Sequence, residues 1–392
     1  PTQEHKLVLN YSGEDATLNN STGDPDEDTP IAFNTQEQGG PFYSLEWTWL
    51  ASSEFYLIAR VGASLGILDN VPSNQSGTDP RDASFSDDFY RQNYNNSDSW
   101  VEEDRDRLQM SLVGSYFVDD LMGTHQFKSG IEFHDFARET FSQRPGGASY
   151  YIYNIEVPAG STDPDYFMGT EADRSLYINP GIAEETGEYM AFFIQDDWSI
   201  TENLTLNLGI RYEWCEFAND SGDTEVPAWT WGNFARETFI NEDGTYKETA
   251  PMRFDDMLAP RIGVNWNVFG DGTTSVRAFY GRFYNPFDLS LPGMFQPFSA
   301  DQNATIDEVY VGPEWTDMDR DGIPDEDYFF DDANWQETSR DQPGDWNLLD
   351  PELEAEYTDE IMVGIEQEVM KNFTMGFTYT YRETNDMVED VG

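Results

Sequence analysis

The sequence predicts an all-β protein: an antiparallel transmembrane β-barrel with short periplasmic turns and long extracellular loops. Apolar and polar residues alternate in segments of about ten residues, the length that a tilted membrane strand needs. Short and long spacers alternate between these segments, as they do in bacterial outer-membrane barrels. No apolar run approaches the length of about 18 residues that a transmembrane helix requires, and the mean hydropathy is -0.65, so membrane helices are excluded.

The clearest alternation lies in residues 373–381, which read FTMGFTYTY. Successive side chains of a strand point to opposite faces, so this strand has one apolar, aromatic face and one small, polar face. Residues 43–49, 204–214 and 261–269 alternate in the same way. Charged residues such as Arg211 fall on the polar face, where a water-filled lumen would solvate them, because a charge facing lipid costs about 2–4 kcal/mol.

About eleven strands are predicted on this basis. They are residues 6–11, 42–50, 55–65, 107–117, 125–136, 189–198, 204–214, 261–269, 274–284, 360–369 and 373–382. The short spacers carry turn residues, such as Gly-Asp-Gly at 270–272. The long spacers, predicted to be extracellular loops, are about 12–41, 66–106, 137–188, 215–260 and 285–359. A soluble β-sandwich could show the same alternation, but it has no reason to place every long loop at one end.

The composition is strongly acidic, with 76 acidic and 21 basic residues and a net charge of -55. Nucleic acid is excluded as a partner, because phosphate contacts need lysine and arginine. Three interpretations of the acidity stay open: adaptation to high salt, divalent-cation binding on loops, and solubility of long loops. Cys215 is the single cysteine, so no internal disulfide can form.

Three segments resemble the barrel of TonB-dependent outer-membrane receptors, most closely the Oar-like branch. They read FIQDDWSITENLTLNLGIRYEW at 193–214, LAPRIGVNWNVFGDGTTSVRAFYGRFY at 258–284, and LDPELEAEYTDEIMVGIEQEVMKNFTMGFTYTYRETNDMVED at 349–390. The resemblance implies a 22-stranded barrel, a plug inside it, and a Ton box that contacts a periplasmic TonB-type energy-coupling protein. No segment resembling the plug or the Ton box is found in residues 1–392, so we expect the chain to be a partial barrel from a longer receptor.

The longest spacer contains a candidate calcium loop, DMDRDGIPDED at residues 317–327. Its D-x-D-x-D-G-x-x-D spacing is typical of loops that deliver several oxygen ligands to one Ca²⁺ ion. The twelfth position is Tyr328 rather than glutamate, so this is not an EF-hand. The candidate ligands are Asp317, Asp319, Asp321, the carbonyl of Ile323, Asp325 and Asp327. Another acidic stretch in an acidic chain is the alternative.

Tryptophans in the long spacers are candidate substrate-binding residues, because an exposed indole can stack on a sugar or an aromatic siderophore. They are Trp229, Trp231, Trp315, Trp335 and Trp346. The alternative is that they pack the loops together.

No Ser-His-Asp set, P-loop or HExxH motif is present, so we do not expect an enzyme. The spacing of His125 and His134 places them on opposite faces of one strand, which disfavours metal binding.

The sequence supports two possible functions and leaves open one other class of protein. The first is an outer-membrane receptor or transporter barrel for energised uptake of a siderophore, glycan or peptide. The second is a structural or adhesive barrel, embedded in outer-membrane lipid, whose acidic, calcium-binding loops contact a surface protein or lipoprotein. A soluble extracellular β protein is the third, and purification without detergent would identify it.

Overall fold

A computed structural model describes residues 4–19, 33–72, 75, 79–87, 92–119, 121–153, 167–169, 171–177, 181–220, 252–285, 305–317, 323–341 and 353–387. Within this part of the chain, no helix has the length and apolar content needed to cross a membrane. The strands are β1 His5–Asn19, β2 Asn34–Leu50, β3 Phe55–Pro72, β4 Ser84–Asp87, β5 Gln92–Tyr94, β6 Trp100–Val118, β7 Thr124–Gln143, β8 Ala148–Tyr153, β9 Phe167–Gly169, β10 Glu171–Tyr177, β11 Gly181–Thr201, β12 Leu204–Asp220, β13 Met252–Asn267, β14 Thr274–Tyr284, β15 Thr305–Tyr310, β16 Trp315–Asp317, β17 Trp335–Asp341, β18 Tyr357–Met370 and β19 Phe373–Asn385.

Eleven strands form one large sheet in the order β1-β2-β3-β6-β7-β11-β12-β13-β14-β18-β19, and every neighbouring pair is antiparallel. All eleven predicted strands lie in this sheet, which confirms the predicted fold class. The short spacers join strands at one end of the sheet, here called the short-turn end, and the strand ends from which the long connections leave all lie at the other. Within the described residues, β1 and β19 each pair on one side only, so closure of the sheet is not observed.

The two faces of the sheet differ in chemistry, as the alternation predicts. The register aligns the apolar residues of one strand with those of the next: Leu45 lies opposite Leu9 and Val61, and Ile365 opposite Phe377. This surface, here called the apolar face, leaves large side chains exposed on strand after strand, including Leu9, Leu45, Val61, Met110, Ile131, Phe192, Ile210, Ile262, Val363 and Phe377. An apolar face of this extent needs an apolar solvent. The opposite surface is here called the polar face.

The strands continue past their predicted ends toward the long connections. β1 ends at Asn19 and β6 begins at Trp100, where the alternation had placed strand ends at residues 11 and 107. Arg138 and Glu185 pair across β7 and β11 in such an extension, with bonds of 2.5 and 2.8 Å, and Glu185 is buried. Both faces of a strand can be polar outside the membrane, so these extensions carry no alternating signal.

A second sheet of six strands, here called the loop sheet, is built from three of the long connections. Its order is β17-β15-β10-β8-β4-β5, and only the β4–β8 pair is parallel. β4 and β5 come from the β3–β6 connection, β8 and β10 from the β7–β11 connection, and β15 and β17 from the β14–β18 connection. Sequence analysis treated these segments as loops. A separate pair, β9 with β16, joins the last two connections again.

The loop sheet has an apolar core of its own. Phe85 stacks on Tyr150 with ring centroids 4.7 Å apart, and the Trp335 indole donates to the Phe329 carbonyl oxygen at 2.7 Å. Further members of this core are Ala83, Ala148, Ile152, Ala172, Tyr310 and Trp315. Burial of these side chains explains why three distant connections assemble into one layer.

Candidate functional site: the polar face and the loop sheet

Arg211 on β12 is the centre of a hydrogen-bonded network on the polar face. Its guanidinium Nε donates to Glu213 Oε1 at 2.6 Å, and its Nη2 donates to Glu132 Oε2 at 2.6 Å. Nη2 also donates to the Tyr189 hydroxyl at 2.9 Å, and this hydroxyl donates to Glu213 at 2.6 Å. The network therefore links β7, β11 and β12 through one cation. Charge-assisted bonds of this kind fix side-chain geometry more firmly than neutral ones.

Other arginines of the polar face pair with a carboxylate on the neighbouring strand. Arg60 on β3 contacts Glu46 on β2 at 2.7 Å. Two similar pairs join β14 to β18 and β18 to β19; they are Arg277 with Glu366 and Arg382 with Glu360. These arginines are about half exposed or more, so each pair stabilises the sheet by about 0–1 kcal/mol at most. Their main effect is to make this face hydrophilic.

Two arginines of the polar face pair with no carboxylate among the described residues. Arg107 Nη2 lies 3.3 Å from His134 Nδ1, and its guanidinium lies 4.9 Å from the centre of the Phe136 ring. Arg261 lies 4.7 Å from the centre of the Phe283 ring. Cation–π contacts hold both groups in place without neutralising them. In a chain of net charge -55, these are sites where an anionic group could bind.

An apolar patch interrupts the polar face near the long connections. Cys215, Phe217 and Phe254 are buried there, together with Met257 and Met252. Leu353 and Ala355, which precede β18, pack against this patch, and Asn285 donates its backbone N–H to the Glu356 carbonyl at 3.0 Å. A short segment of the β14–β18 connection therefore covers the patch. The Cys215 thiol is buried and has no disulfide partner, as expected for a lone cysteine.

The candidate calcium loop lies beside the loop sheet and is described only in part. Asp319 and Asp321 lie outside the described residues. Asp317 is buried at the end of β16, and the Asp325 backbone N–H donates to the Thr316 carbonyl at 2.8 Å. Asp327 forms an ion pair with Arg81, so in this structure its carboxylate already has a cationic partner. Among the described residues, no group of three or more His, Cys, Asp or Glu side chains is arranged to hold a metal, and calcium binding stays a prediction.

The candidate tryptophans divide into two sets. Trp315 and Trp335 are buried in the loop-sheet core, where Trp315 contacts the Phe329 ring edge-on. In this structure they pack the loops, which is the alternative role raised from the sequence, and neither indole offers an exposed surface. Trp229, Trp231 and Trp346 lie outside the described residues, so substrate stacking by these three stays a prediction.

Sequence reasoning placed Arg211 on the polar face but did not find its partners. Glu132 and Tyr189 lie about 80 and 20 residues away in sequence, and only the strand register brings them to Arg211. The loop sheet was also missed, although ASYYIY at 148–153 and TIDEVY at 305–310 are rich in residues that favour strands. Tyr310 of this sheet donates to the Pro313 carbonyl at 2.8 Å, and burial raises the pKa of its phenol to about 12.

Comparison with known proteins gives consistent results. A family model described as an outer membrane beta barrel domain matches residues 1–389. The TonB-dependent transporter Oar of Myxococcus xanthus is 25% identical over 310 residues, which is 73% of this chain and 26% of Oar. The solved outer membrane transporter YddB from Escherichia coli matches 98% of this chain and 38% of its own, with 14% identity and a TM-score of 0.55. The siderophore receptor PiuA from Acinetobacter baumannii matches 98% of this chain and 55% of its own, with 12% identity and a TM-score of 0.45.

Proposed function

Because this chain belongs to the outer membrane β-barrel domain family and lies in the bacterial outer membrane, we propose that it forms part of the barrel of an energised uptake transporter. The apolar face contacts lipid, and the polar face lines an aqueous lumen. The short-turn end is then periplasmic and the loop sheet extracellular. The chain spans 26% of the length of Oar, so transport is a property of the longer protein to which it corresponds.

The observation that carries this proposal is the charge-paired inner wall. A lumen lined by Arg211, Glu132 and Glu213 stays hydrated, and water inside it can solvate a polar domain or a passing solute. Arg107 and Arg261 add cations without a carboxylate partner among the described residues, so carboxylates of a plug domain or of a solute can bind there. The resemblance to TonB-dependent receptors supports a periplasmic TonB-type partner that acts on the plug and drives uptake.

The cargo we propose is a siderophore, a glycan or a peptide. The test uses the full-length gene in its native bacterium, with uptake of a labelled member of each class measured in wild-type and deletion strains. Loss of uptake of one class, restored by the gene and abolished by a protonophore, supports energised transport. Unchanged uptake of all three classes in the deletion strain would exclude this role for these cargos.

A structural or adhesive role is the second candidate, and the loop sheet favours it. Three connections assemble into one extracellular layer with its own apolar core. A layer this ordered is more than the loops would need if they only surrounded the entrance for a solute. The connection 285–359 alone carries 21 acidic and two basic residues, a charge that suits calcium-bridged contact with a surface protein or lipoprotein. Cells that lose surface attachment on deletion, while retaining uptake, would favour this function.

A further inference from the structure

The turn between β6 and β7 bends toward the apolar face of the sheet. The Trp198 indole donates to the Met122 carbonyl oxygen at 3.1 Å, and His125 Nε2 lies 2.9 Å from the Leu121 carbonyl oxygen. Trp198 and His125 lie opposite each other in the register, on the apolar face. Gly123 has a φ of +120°, and a Cβ there would lie 2.3 Å from the Ser199 carbonyl oxygen, so the turn packs directly on β11.

Leu121 and Met122 are left at the outer surface by this arrangement. Their exposed fractions are 51% and 78%, high values for apolar side chains in a short turn whose carbonyl groups are already bonded. The turn between β11 and β12 is different, because Thr201, Glu202 and Asn203 there are polar and exposed, and the Asn203 backbone N–H donates to Thr201 Oγ1 at 3.2 Å. One short turn therefore presents apolar side chains at its surface, whereas the other presents polar ones.

His125 and Asp196 form a charge-neutral pair beneath the turn. His125 Nδ1 lies 2.7 Å from Asp196 Oδ2, while Nε2 faces the Leu121 carbonyl. Both ring nitrogens therefore face oxygen atoms, and the pair carries no net charge whichever of the two groups holds the shared proton. The ring stacks between Phe127 and Trp198, with centroids 5.3 and 5.2 Å away. The pair makes a carboxylate tolerable on the lipid side of the sheet, next to aromatic rings of the kind found at membrane interfaces.

We propose that residues 121–123, held by His125 and Trp198, form a lipid anchor that inserts Leu121 and Met122 into the periplasmic leaflet of the outer membrane. The occupant is a phospholipid bilayer, because the turn lies on the same face as the exposed Ile131, Phe192 and Ile194 of β7 and β11, with the charge-neutral His125–Asp196 pair between them. Insertion of one Leu and one Met sets the depth of the barrel at this edge, and the Trp198 and His125 bonds keep the turn folded outward.

The test is depth-dependent fluorescence quenching in the full-length protein. Cysteine is placed by Met122→Cys or, as a matched control in the polar β11–β12 turn, by Glu202→Cys, and each is labelled with bimane in phosphatidylcholine bilayers with brominated acyl chains. The unsubstituted protein, in which Cys215 is buried, gives the labelling background. We expect quenching at 122 to exceed that at 202 by at least about twofold, as for a side chain that reaches the acyl-chain boundary. Equal quenching at the two positions would overturn the proposal.

A second variant separates anchoring from simple proximity to lipid. Trp198→Phe keeps an aromatic ring but removes the bond to the Met122 carbonyl, so quenching at position 122 falls if that bond holds the turn outward. Trp266→Phe is the control, because Trp266 is on the apolar face and 46% exposed, and no hydrogen bond of its indole is found among the described residues. If the label at position 122 is quenched equally in Trp198→Phe and Trp266→Phe, the Trp198 hydrogen bond does not hold the turn, and this result would contradict the proposed role of Trp198.

Discussion

Arg174 on β10 donates from its guanidinium Nε to Glu308 Oε2 on β15 at 2.6 Å. Its Nη2 also donates to Asp332 at 2.7 Å, and its guanidinium lies 4.6 Å from the centre of the Trp335 ring. Arg174 is 3% exposed. These contacts join the β7–β11 connection to the β14–β18 connection, so one buried cation ties together two segments more than 130 residues apart.

Replacement of this cation should loosen the loop sheet alone. Arg174→Met leaves the partly buried Glu308 without its partner, and breaking a buried pair costs up to about 3–5 kcal/mol. Hydrogen exchange of β8, β10 and β15 should accelerate, while exchange of β12 stays unchanged. Arg340→Met is the matched control, because Arg340 and Glu337 are each about 40% exposed and their pair is worth about 0–1 kcal/mol. Equal acceleration in both variants would show that burial of Arg174 is unimportant.

A charge added to β13 should impair assembly on the apolar face but not on the polar face. Ile262 is on the apolar face and 53% exposed, whereas Asn265 is on the polar face. Ile262→Arg places a charge in lipid at a cost of about 2–4 kcal/mol near the bilayer midplane, but Asn265→Arg meets water. The yield of folded, heat-modifiable protein in the outer membrane should fall for the first variant only. Normal assembly of Ile262→Arg would argue against lipid contact on this face.

The loop sheet should lose stability at high pH. An unfolded tyrosine ionises near pH 10, whereas burial raises the pKa of Tyr310 to about 12. Its contribution is therefore complete below about pH 10 and is lost as the pH rises toward about 12, because the unfolded chain releases the proton first. Protease cleavage of the loops should increase between about pH 10 and pH 12. Tyr310→Phe should make cleavage less dependent on pH, although it removes the bond to the Pro313 carbonyl.

The Arg211 network should matter more than other pairs on the same face. Arg211→Leu leaves Glu132 and Glu213 close together without a cation, and the Tyr189 hydroxyl loses one partner. We expect a loss of about 3 kcal/mol in unfolding free energy, measured by urea titration in detergent. Arg277→Leu is the control, since Arg277 and Glu366 are each about half exposed. A smaller loss for Arg211→Leu than for Arg277→Leu would contradict this order.

The main sheet could be predicted from the sequence because a membrane strand obeys two constraints at once. One face must be apolar over about ten residues, and every strand must pair on both sides, so alternation and turn spacing together locate the first residues of β12 and β19, Leu204 and Phe373, although not their last residues. The loop sheet obeys neither constraint. Its strands β8 and β15 have six residues each and pair across different connections, and no local pattern specifies such long-range partners.

The polar-face network illustrates the same limit for the candidate site. Arg211 could be assigned to the lumen side from its parity in β12, but its bond to Glu132 depends on the register of three strands. Trp315 and Trp335 had been considered as exposed binding residues, and their burial follows from a core that forms only when the connections meet. The presence of tryptophans in a long connection does not by itself show whether their rings are exposed for ligand stacking or buried in a core.

Calcium should stabilise the segment 317–327 if its aspartates act as ligands. Asp317 is already buried at the end of β16, and the Asp325 amide is bonded to Thr316, so both ends of the segment are held close together. Ca²⁺ added to the full-length protein should protect the loops from protease with a midpoint of about 10⁻⁴–10⁻³ M, the range of extracellular modules. Asp319→Asn with Asp321→Asn should abolish this protection, because amides supply less charge to the ion. Asp307→Asn, outside the motif, should retain it, and protection that survives in the double variant would assign the calcium effect to the acidic surface as a whole.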